Sequence, residues 1–526
     1  MIKNIKNIVV VGGGSAGWMS ASALIRAFPD FNITVIESPD IPIVGVGEST
    51  LGGIKKFCQY LDIDEKDFIA YTGGSFKISI KFSDFYEKDY GSFHYPFGSP
   101  LLNNQSASTQ DWLLKKAVYP EIPTDDFVDS YFASAALFKN NKFTLSDIDN
   151  FNPKSDAAYH FDATKFGAWL RDRYACPRGV TIIQDTVEKI NENDNGIKEL
   201  VLKSGATVTA DLFVDCTGFS SLLLGGCLKE PFISFEDKLP NNRAWATRIP
   251  FKDKVKELEP FTHCTAIDNG WVWNIPLWAR IGTGYVYSDK FTTPELAKEE
   301  FKNYLMSNKM ICPRTKEEVD NLEFKDIKMR IGIHRQTFVK NVVAIGLSAG
   351  FIEPLESNGL FTVHEFLFKL IKTLLRGSVT QWDRDVYNTA TYLEYNAFAE
   401  FVALHYALSI RNDTPYWKHN TSKVYDPDMV FQNQQNASAF NQLHNNKMWA
   451  TPPKEIAGIT YVAVGMNYFI LDKVNQVVYE NDAGVDFKIK YHQVFDSLEK
   501  RKKRWSALAE KELTLYEFLK QNYYKE

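Results

Sequence analysis

Four short stretches carry the residue types and spacings from which chemistry could be built. Gly12-Gly13-Gly14-Ser15-Ala16-Gly17 follows a β-branched run, Ile8 to Val11, and precedes a helical pattern that ends at Phe28 before Pro29. This is the spacing of a turn that receives a dinucleotide pyrophosphate, with strand before and helix after. Gly12 makes the tight turn, Gly14 lets phosphate approach the backbone, and Gly17 lets the helix pack close to the strand. A second strand, Ile33 to Ile36, ends at Glu37, about 20 residues beyond Gly17, where a carboxylate can hold a ribose hydroxyl.

Gly350 to Leu360 reads GFIEPLESNGL and carries two carboxylates, Glu353 and Glu356. Downstream, Leu360, Val363, Phe366, Leu367, Leu370, Ile371 and Leu374 repeat at helical spacing. Ser357-Asn358-Gly359 therefore opens a helix, and the free amides and dipole of its first turn suit an anion. Ordinary capping by Ser357 or Asn358 fits the same position. Gly73 to Phe82, GGSFKISIKF, reads as one strand with Phe76, Ile78, Ile80 and Phe82 on one face and Lys77, Ser79 and Lys81 on the other. In WVWNIP, Trp271 to Pro276, the two tryptophans project from the same face of a strand as a flat wall. Such a wall is either core or a partition.

Elements elsewhere in the chain must position these residues. Asp211 to Gly218 (DLFVDCTG) and Asn341 to Gly346 (NVVAIG) read as buried strands, the first ending in a Thr217-Gly218 turn. Strands that return to a nucleotide fold so late in the chain point to FAD rather than NAD. Thr181 to Ile190 reads as a further strand, similar to one that in FAD enzymes often touches the adenine through a residue placed like Val187, and Phe161 to Arg173 as an amphipathic scaffold helix. The expected class is an α/β FAD-binding, Rossmann-like module with an inserted mixed or antiparallel sheet, plus a mostly helical C-terminal region. The module spans residues 1–375, with the insertion at about 221–330, and residues 376–526 form a helical cap over the substrate site.

Composition excludes several classes. With 60 basic and 65 acidic residues the net charge is -5, which gives no footprint for nucleic acid or a membrane surface. The six cysteines form no CxxC and the histidines no pair at ligand spacing, so neither a metal site nor a disulfide framework is expected. No signal peptide and no apolar run of roughly 20 residues is found, so a cytoplasmic protein is expected. Oligomeric state is open, a homo-oligomer included.

GGGSAGWM, VGVGEST (Val44 to Thr50), WVWNIP and GFIEPLESNGL together resemble flavin-dependent halogenases of the tryptophan-halogenase type. The resemblance runs in order from residue 8 to about 375. WxWxIP with EPLESxG is specific to that family, whereas the glycine turn alone is not. In flavin monooxygenases an aspartate usually follows the glycine of the last FAD strand; here Leu347 follows Gly346, which favours the halogenase branch. An aromatic monooxygenase on the same fold is the alternative.

The resemblance implies the following roles. Reduced FAD and O2 form a flavin hydroperoxide that oxidises halide to hypohalous acid. A lysine beside an electron-rich indole- or phenol-type substrate receives this oxidant, and the G-x-F-K match places that lysine at Lys77. The ExxESxG match places the catalytic carboxylate at Glu356 and leaves Glu353 structural. Lys81 is expected to be a solvated charge. Gly47, Glu48, Ser49 and Thr50 lie against the flavin, and Trp271 and Trp273 become a barrier between flavin and substrate. The amides of Asn358 and Gly359, beside Ser357, become a halide cradle. Chloride-using relatives usually have threonine where Asn358 stands, so bromide or iodide is expected to be favoured. The tyrosine pair and glutamate that clamp free tryptophan are not found, Tyr461 and Tyr468 being well separated in Thr460 to Phe469, so another arene is expected as substrate. The Asn- and Gln-rich stretch 431–447 is expected to be an exposed loop or lid. There is no second dinucleotide turn for NAD(P)H, so a separate NAD(P)H-dependent flavin reductase is implied.

Overall fold

Continuous β-branched runs separated by helices build a parallel sheet buried on both faces. A computed structural model of the chain describes residues 1–41, 48–101, 112, 115–116, 119–423, 457–467 and 485–524. Its first sheet has six strands in the order Thr181–Gln184, Asn32–Glu37, Asn7–Val11, Leu212–Asp215, Val342–Ala344 and Phe338–Val339. The first five are parallel and the last is antiparallel. The carboxyl ends of the parallel strands therefore share one edge, where ligands of open α/β sheets bind. The helix Ser15–Ala27 starts just beyond the strand Asn7–Val11 and its glycine turn and is capped by Phe28, as its pattern predicts.

A second sheet of seven strands carries the tryptophans. Its order is Lys325–Lys328, Arg243–Ile249, Ile281–Tyr287, Gly270–Pro276, Phe261–Ile267, Ser79–Ser83 and Ser92–Pro96. All its pairings are antiparallel except Phe261–Ile267 with Ser79–Ser83. The sheet thus draws two strands from residues 79–96, well upstream of the 221–330 expected for the insertion. Glu48–Ser49, Ala158–Phe161 and Ser75–Lys77 form a small third sheet.

Two expected single strands are divided. Ser75–Lys77 and Ser79–Ser83 belong to different sheets, because Ile78 turns its N–H to Pro260 and its carbonyl to the N–H of Phe97. Likewise Thr181–Gln184 stays in the parallel sheet, while Val187–Asn193 pairs antiparallel with Gly196–Leu202. The Asp185 carboxylate accepts from the amides of Thr186 and Ser204 and makes the break.

Beyond residue 376 the described elements are mainly helices: Gln381–Ala407, Pro415–Lys423, Ala457–Gly465, Val485–Ala509 and Leu515–Asn522. The first starts at a reciprocal cap between Thr380 and Asp383. One apolar core joins the nucleotide sheet, the tryptophan sheet and these helices. Val44 to Gly47, Tyr468 and residues 431–447 lie outside the described residues. Among the described residues no helix is long and apolar enough to cross a membrane, and no group of three His, Cys, Asp or Glu side chains could hold a metal.

Candidate active site

At the nucleotide edge, each glycine of the turn has its own steric reason. Gly12 has φ +112°, and a Cβ there would stand 2.3 Å from the Cys216 carbonyl oxygen. A Cβ on Gly17 would lie 1.8 Å from the Gly12 carbonyl oxygen, so this is where the helix is drawn against the strand. Space beside Gly14 is open to 4 Å, so its backbone can be approached. Ser15 donates to the Ala163 carbonyl at 3.0 Å, tying the turn to the helix Ala163–Trp169. A Cβ on Gly346, itself at φ +73°, would lie 2.8 Å from the Ala16 methyl, which brings the Gly346-Leu347 turn against the glycine turn. Thr217 is braced by its hydroxyl bond to Asp215 at 2.7 Å, with Gly218 following at φ +70°.

Glu37 lies beside Gly13, and its Oε2 is buried without a hydrogen-bond partner. That oxygen, 3.7 Å from the Arg171 guanidinium and with an open hydrogen-bond position beside the glycine turn, fits the ribose of a dinucleotide. Val187, half-buried, follows Thr186, whose hydroxyl lies 2.7 Å from that of Ser38, one residue past Glu37. The structure thus gathers Gly12, Gly14, Ser15, Ala16, Gly17, Glu37, Val187, Thr217, Gly218, Gly346 and Leu347 at one end of the parallel sheet.

The second constellation surrounds Lys77. Its side chain is fully buried, and Nζ donates to Ser49 Oγ and Ser357 Oγ, each at 2.8 Å. Nζ also lies 5.0 Å from the centre of the Phe97 ring. Burial pulls the amine down from 10.5 to about 7, against the opposing pull of Cys264 and Glu356. Lys81, four residues on, is half-buried rather than solvated. It lies 5.9 Å from the Phe261 ring, and its charge is felt by His94, His263 and Glu259.

Glu356 ends the short turn Pro354–Glu356 and is buried. Its Oε1 lies 2.8 Å from His405 Nε2, an ion-pair distance, while Oε2 has no hydrogen-bond partner. Glu353 has the opposite setting. Its Oε2 accepts from Trp271 Nε1 at 2.8 Å, Asn241 Nδ2 at 2.7 Å and the Tyr406 hydroxyl at 2.9 Å. Burial pushes this carboxyl above the usual range. Sequence reading misses Asn241, His405 and Tyr406, which come from a loop and from the cap helix and carry no local pattern.

Ser357 sits at φ +57° and turns the chain into the helix Gly359–Leu374. Asn358 is the capping residue but makes no side-chain cap, and its buried Oδ1 has no partner. The Ser357 hydroxyl is engaged by Lys77 and Ser49, so neither side chain caps the first turn. Glu48 lies 3.8 Å from the position of a Cβ on Gly359, and burial plus the Asp162 charge push its carboxyl up to about 7. Thr50 is tied to the Tyr159 carbonyl at 2.8 Å. Trp271 and Trp273 are both buried on one strand, but their rings are tilted by 59° with centroids 6.2 Å apart rather than coplanar. A Cβ on Gly284 would fall 2.2 Å from the Trp273 ring, so this glycine makes the tryptophan's seat.

A glycine cradle at the edge of a parallel sheet, with a buried amine, a buried carboxylate and an uncapped helix start in the same core, defines an α/β redox enzyme. The tryptophan halogenase family model matches residues 7–463, and the chain belongs to that family. It is an enzyme that halogenates with reduced flavin. Tryptophan 6-halogenase SttH of Streptomyces toxytricini is 34% identical over 452 residues, covering 81% of this chain and 83% of its own. Tryptophan 7-halogenase RebH of Lentzea aerocolonigenes is 33% identical over 436 residues, covering 80% and 79%. Among solved structures, VirX1 superposes with a TM-score of 0.90 at 35% identity, covering 99% of each chain. The SttH crystal structure gives 0.82 at 30% identity, covering 98% of this chain and 99% of that one.

Proposed function

We propose that the chain halogenates a small electron-rich aromatic substrate, of indole or phenol type, through an oxidised halogen held at Lys77. The observation that carries this reading is the buried amine: Lys77 is shielded from water, drawn down to about 7, and fixed between two serine hydroxyls. An ordinary structural lysine would be paired with a carboxylate or would reach solvent. The residues around the glycine turn, with Gly47, Glu48, Ser49 and Thr50, would hold FAD. Reduced FAD with O2 would supply the oxidising equivalent that turns halide into hypohalous acid. FADH2 would come from a separate NAD(P)H-dependent flavin reductase in the cytoplasm.

The chain's own groups divide the remaining work. The first-turn amides of Asn358 and Gly359, left uncapped, would hold the halide. Trp271 and Trp273 would keep the substrate from the flavin and so suppress oxygenation. Lys77 would orient hypohalous acid by donating to it as an ammonium, or bond the halogen as a neutral amine. Glu356, buried with His405 Nε2 2.8 Å from its Oε1, would accept the proton that leaves the arene ring. The several named tryptophan halogenases among the relatives make an indole ring the leading substrate class. Bromide or iodide is favoured over chloride. The test is Lys77→Ala, supplied with reduced FAD, O2, halide and a panel of arenes. Halogenated product should vanish while hydrogen peroxide is still released. Undiminished halogenation would overturn the assignment, and oxygenated product without halide would favour a monooxygenase.

A further inference from the structure

The hydroxyls around Lys77 belong to a longer hydrogen-bond chain, and its direction can be read from one end. Ser75 Oγ lies 2.6 Å from the Pro276 carbonyl oxygen, which can only accept, so the single hydroxyl hydrogen of Ser75 is committed there. His160 Nδ1 lies 3.3 Å from Ser75 Oγ and must therefore donate to it. Burial, and then the charge of Lys77, hold His160 well below its ordinary range, so the ring is neutral. A neutral ring protonated at Nδ1 has an acceptor at Nε2.

The remaining steps follow in order. Thr262 Oγ1, 2.9 Å from His160 Nε2, donates to it. Ser49 Oγ, 2.5 Å from Thr262 Oγ1, then donates to Thr262. Ser49 is left with lone pairs only, and it accepts from Lys77 Nζ at 2.8 Å and from the Ser357 hydroxyl at 2.9 Å. Ser357, its hydrogen committed to Ser49, accepts from Lys77 at 2.8 Å. Two N–H bonds of Lys77 are thereby fixed on the serine pair. The one remaining position carries the third N–H of the ammonium or the lone pair of the amine. Strand pairing supports the arrangement, since His160 stands opposite both Ser49 and Ser75 in the small sheet. A slip of one residue would turn the imidazole to the other face.

We propose that His160 is a positioning residue for halogenation: through Thr262 it sets the direction of the Ser49 hydroxyl and so leaves the reactive position of Lys77 open. If Ser49 were free to turn, its hydroxyl would donate to the amine's lone pair and mask it. This inference rests on Lys77 being the amine that carries the oxidant.

The test compares Thr262→Val, which keeps the shape and removes the hydroxyl, with Thr262→Ser, which keeps the hydroxyl. Acetylation of Lys77 by acetic anhydride is followed by peptide mass as pH rises through about 7, where burial keeps Cys264 a thiol and His160 neutral. Halogenation kcat and KM for one arene are measured alongside. Thr262→Val should lower the alkaline plateau of labelling and kcat by about tenfold each, the effect of one misdirected hydrogen bond, with KM little changed. Thr262→Ser should restore both. His160→Phe, which keeps the ring but has no acceptor for Thr262, should behave like Thr262→Val and serves if that variant does not fold. Equal labelling plateaus and equal kcat in Thr262→Val and Thr262→Ser would overturn the proposal. Halogenation surviving in Lys77→Ala would instead sink the role of Lys77 itself, and the labelling comparison reads the chain's direction independently of that result.

Discussion

The glycine cradle and the lysine pocket are built on opposite plans. The cradle is nearly contiguous: one strand, one turn and one helix, residues 7–27, supply the steric features that admit a dinucleotide. The pocket is assembled from five separate segments, with Ser49, Lys77, His160, Thr262 and Ser357 linked by side-chain bonds across the small sheet, the tryptophan sheet and a helix start. In the cradle, shape comes from missing side chains. In the pocket, the proposed function comes from side chains present and buried together. Damage to the first should therefore act through fold and cofactor, and damage to the second through chemistry alone.

The largest expected effects test that contrast directly. Gly17→Ala puts a methyl 1.8 Å from the Gly12 carbonyl oxygen, and neither backbone can move aside cheaply. It should abolish FAD binding in a fluorescence titration and lower thermal stability. Lys77→Ala should leave FAD affinity intact and remove halogenated product. If both variants lose FAD equally, the two regions are one cooperative unit and the contrast fails.

Next come the two glutamates, three residues apart. Glu356→Gln removes the charge of a buried carboxylate whose close partner is His405, and turnover should fall by about 10²- to 10⁴-fold at unchanged FAD affinity. Glu353→Gln should cost little, because all three donors converge on Oε2, which an amide oxygen can replace. Glu353→Leu would strand the Trp271 indole N–H, while the Tyr406 hydroxyl keeps its bond from Asn241, and should raise oxygenated or uncoupled product. A larger loss of turnover in Glu353→Gln than in Glu356→Gln would reverse the roles.

What can be read from sequence follows the same divide. The cradle is legible because its signal is local: Gly12, Gly14 and Gly17 sit at a fixed spacing between two periodic elements, and Glu37 closes the next strand. Lys77 and Glu356 are reached by resemblance, and nothing in their spacing can choose Lys77 over Lys81 or Glu356 over Glu353. The alternation of FKISIKF reads as one strand because Ile78 keeps the period while its backbone changes sheets. Asn241, His160, Thr262, His405 and Tyr406 lie in stretches with no motif of their own, so only the folded contacts reveal them.

A smaller effect concerns stability. Lys77 has a native value near 7 against 10.5 when exposed, so the native state holds fewer protons than the unfolded chain between those values. Burying the amine therefore destabilises the fold fully below about pH 7, and the cost disappears above about pH 10.5. A tenfold change in proton affinity is worth about 1.4 kcal/mol, so Lys77→Met should stabilise the protein by a few kcal/mol at neutral pH. That gain should shrink toward alkaline pH in denaturant titrations. A constant gain would mean that packing, not charge, is responsible. No such pH-dependent gain is expected from substitutions in the glycine turn.

The smallest effect is the most specific to the pocket. Chloride is the most strongly hydrated of the three halides in question and the hardest to oxidise, so a site using it needs close, well-aimed donors. Asn358 begins the helix Gly359–Leu374 without capping it, and its buried amide oxygen has no donor of its own. Beside the proposed halide site an acceptor oxygen would weaken the field of the first-turn amides, and the carboxamide also fills more space than a threonine hydroxyl. A larger, softer anion tolerates both better. Asn358→Thr exchanges that oxygen for a hydroxyl able to donate, and should raise the ratio of chlorinated to brominated product severalfold on a single arene. The intrinsic ease of bromide oxidation is common to both proteins and cancels from the comparison. A ratio unmoved by the substitution would remove Asn358 from halide selection and leave the backbone amides as the whole cradle. Efficient chlorination by the wild-type protein would sink the preference itself.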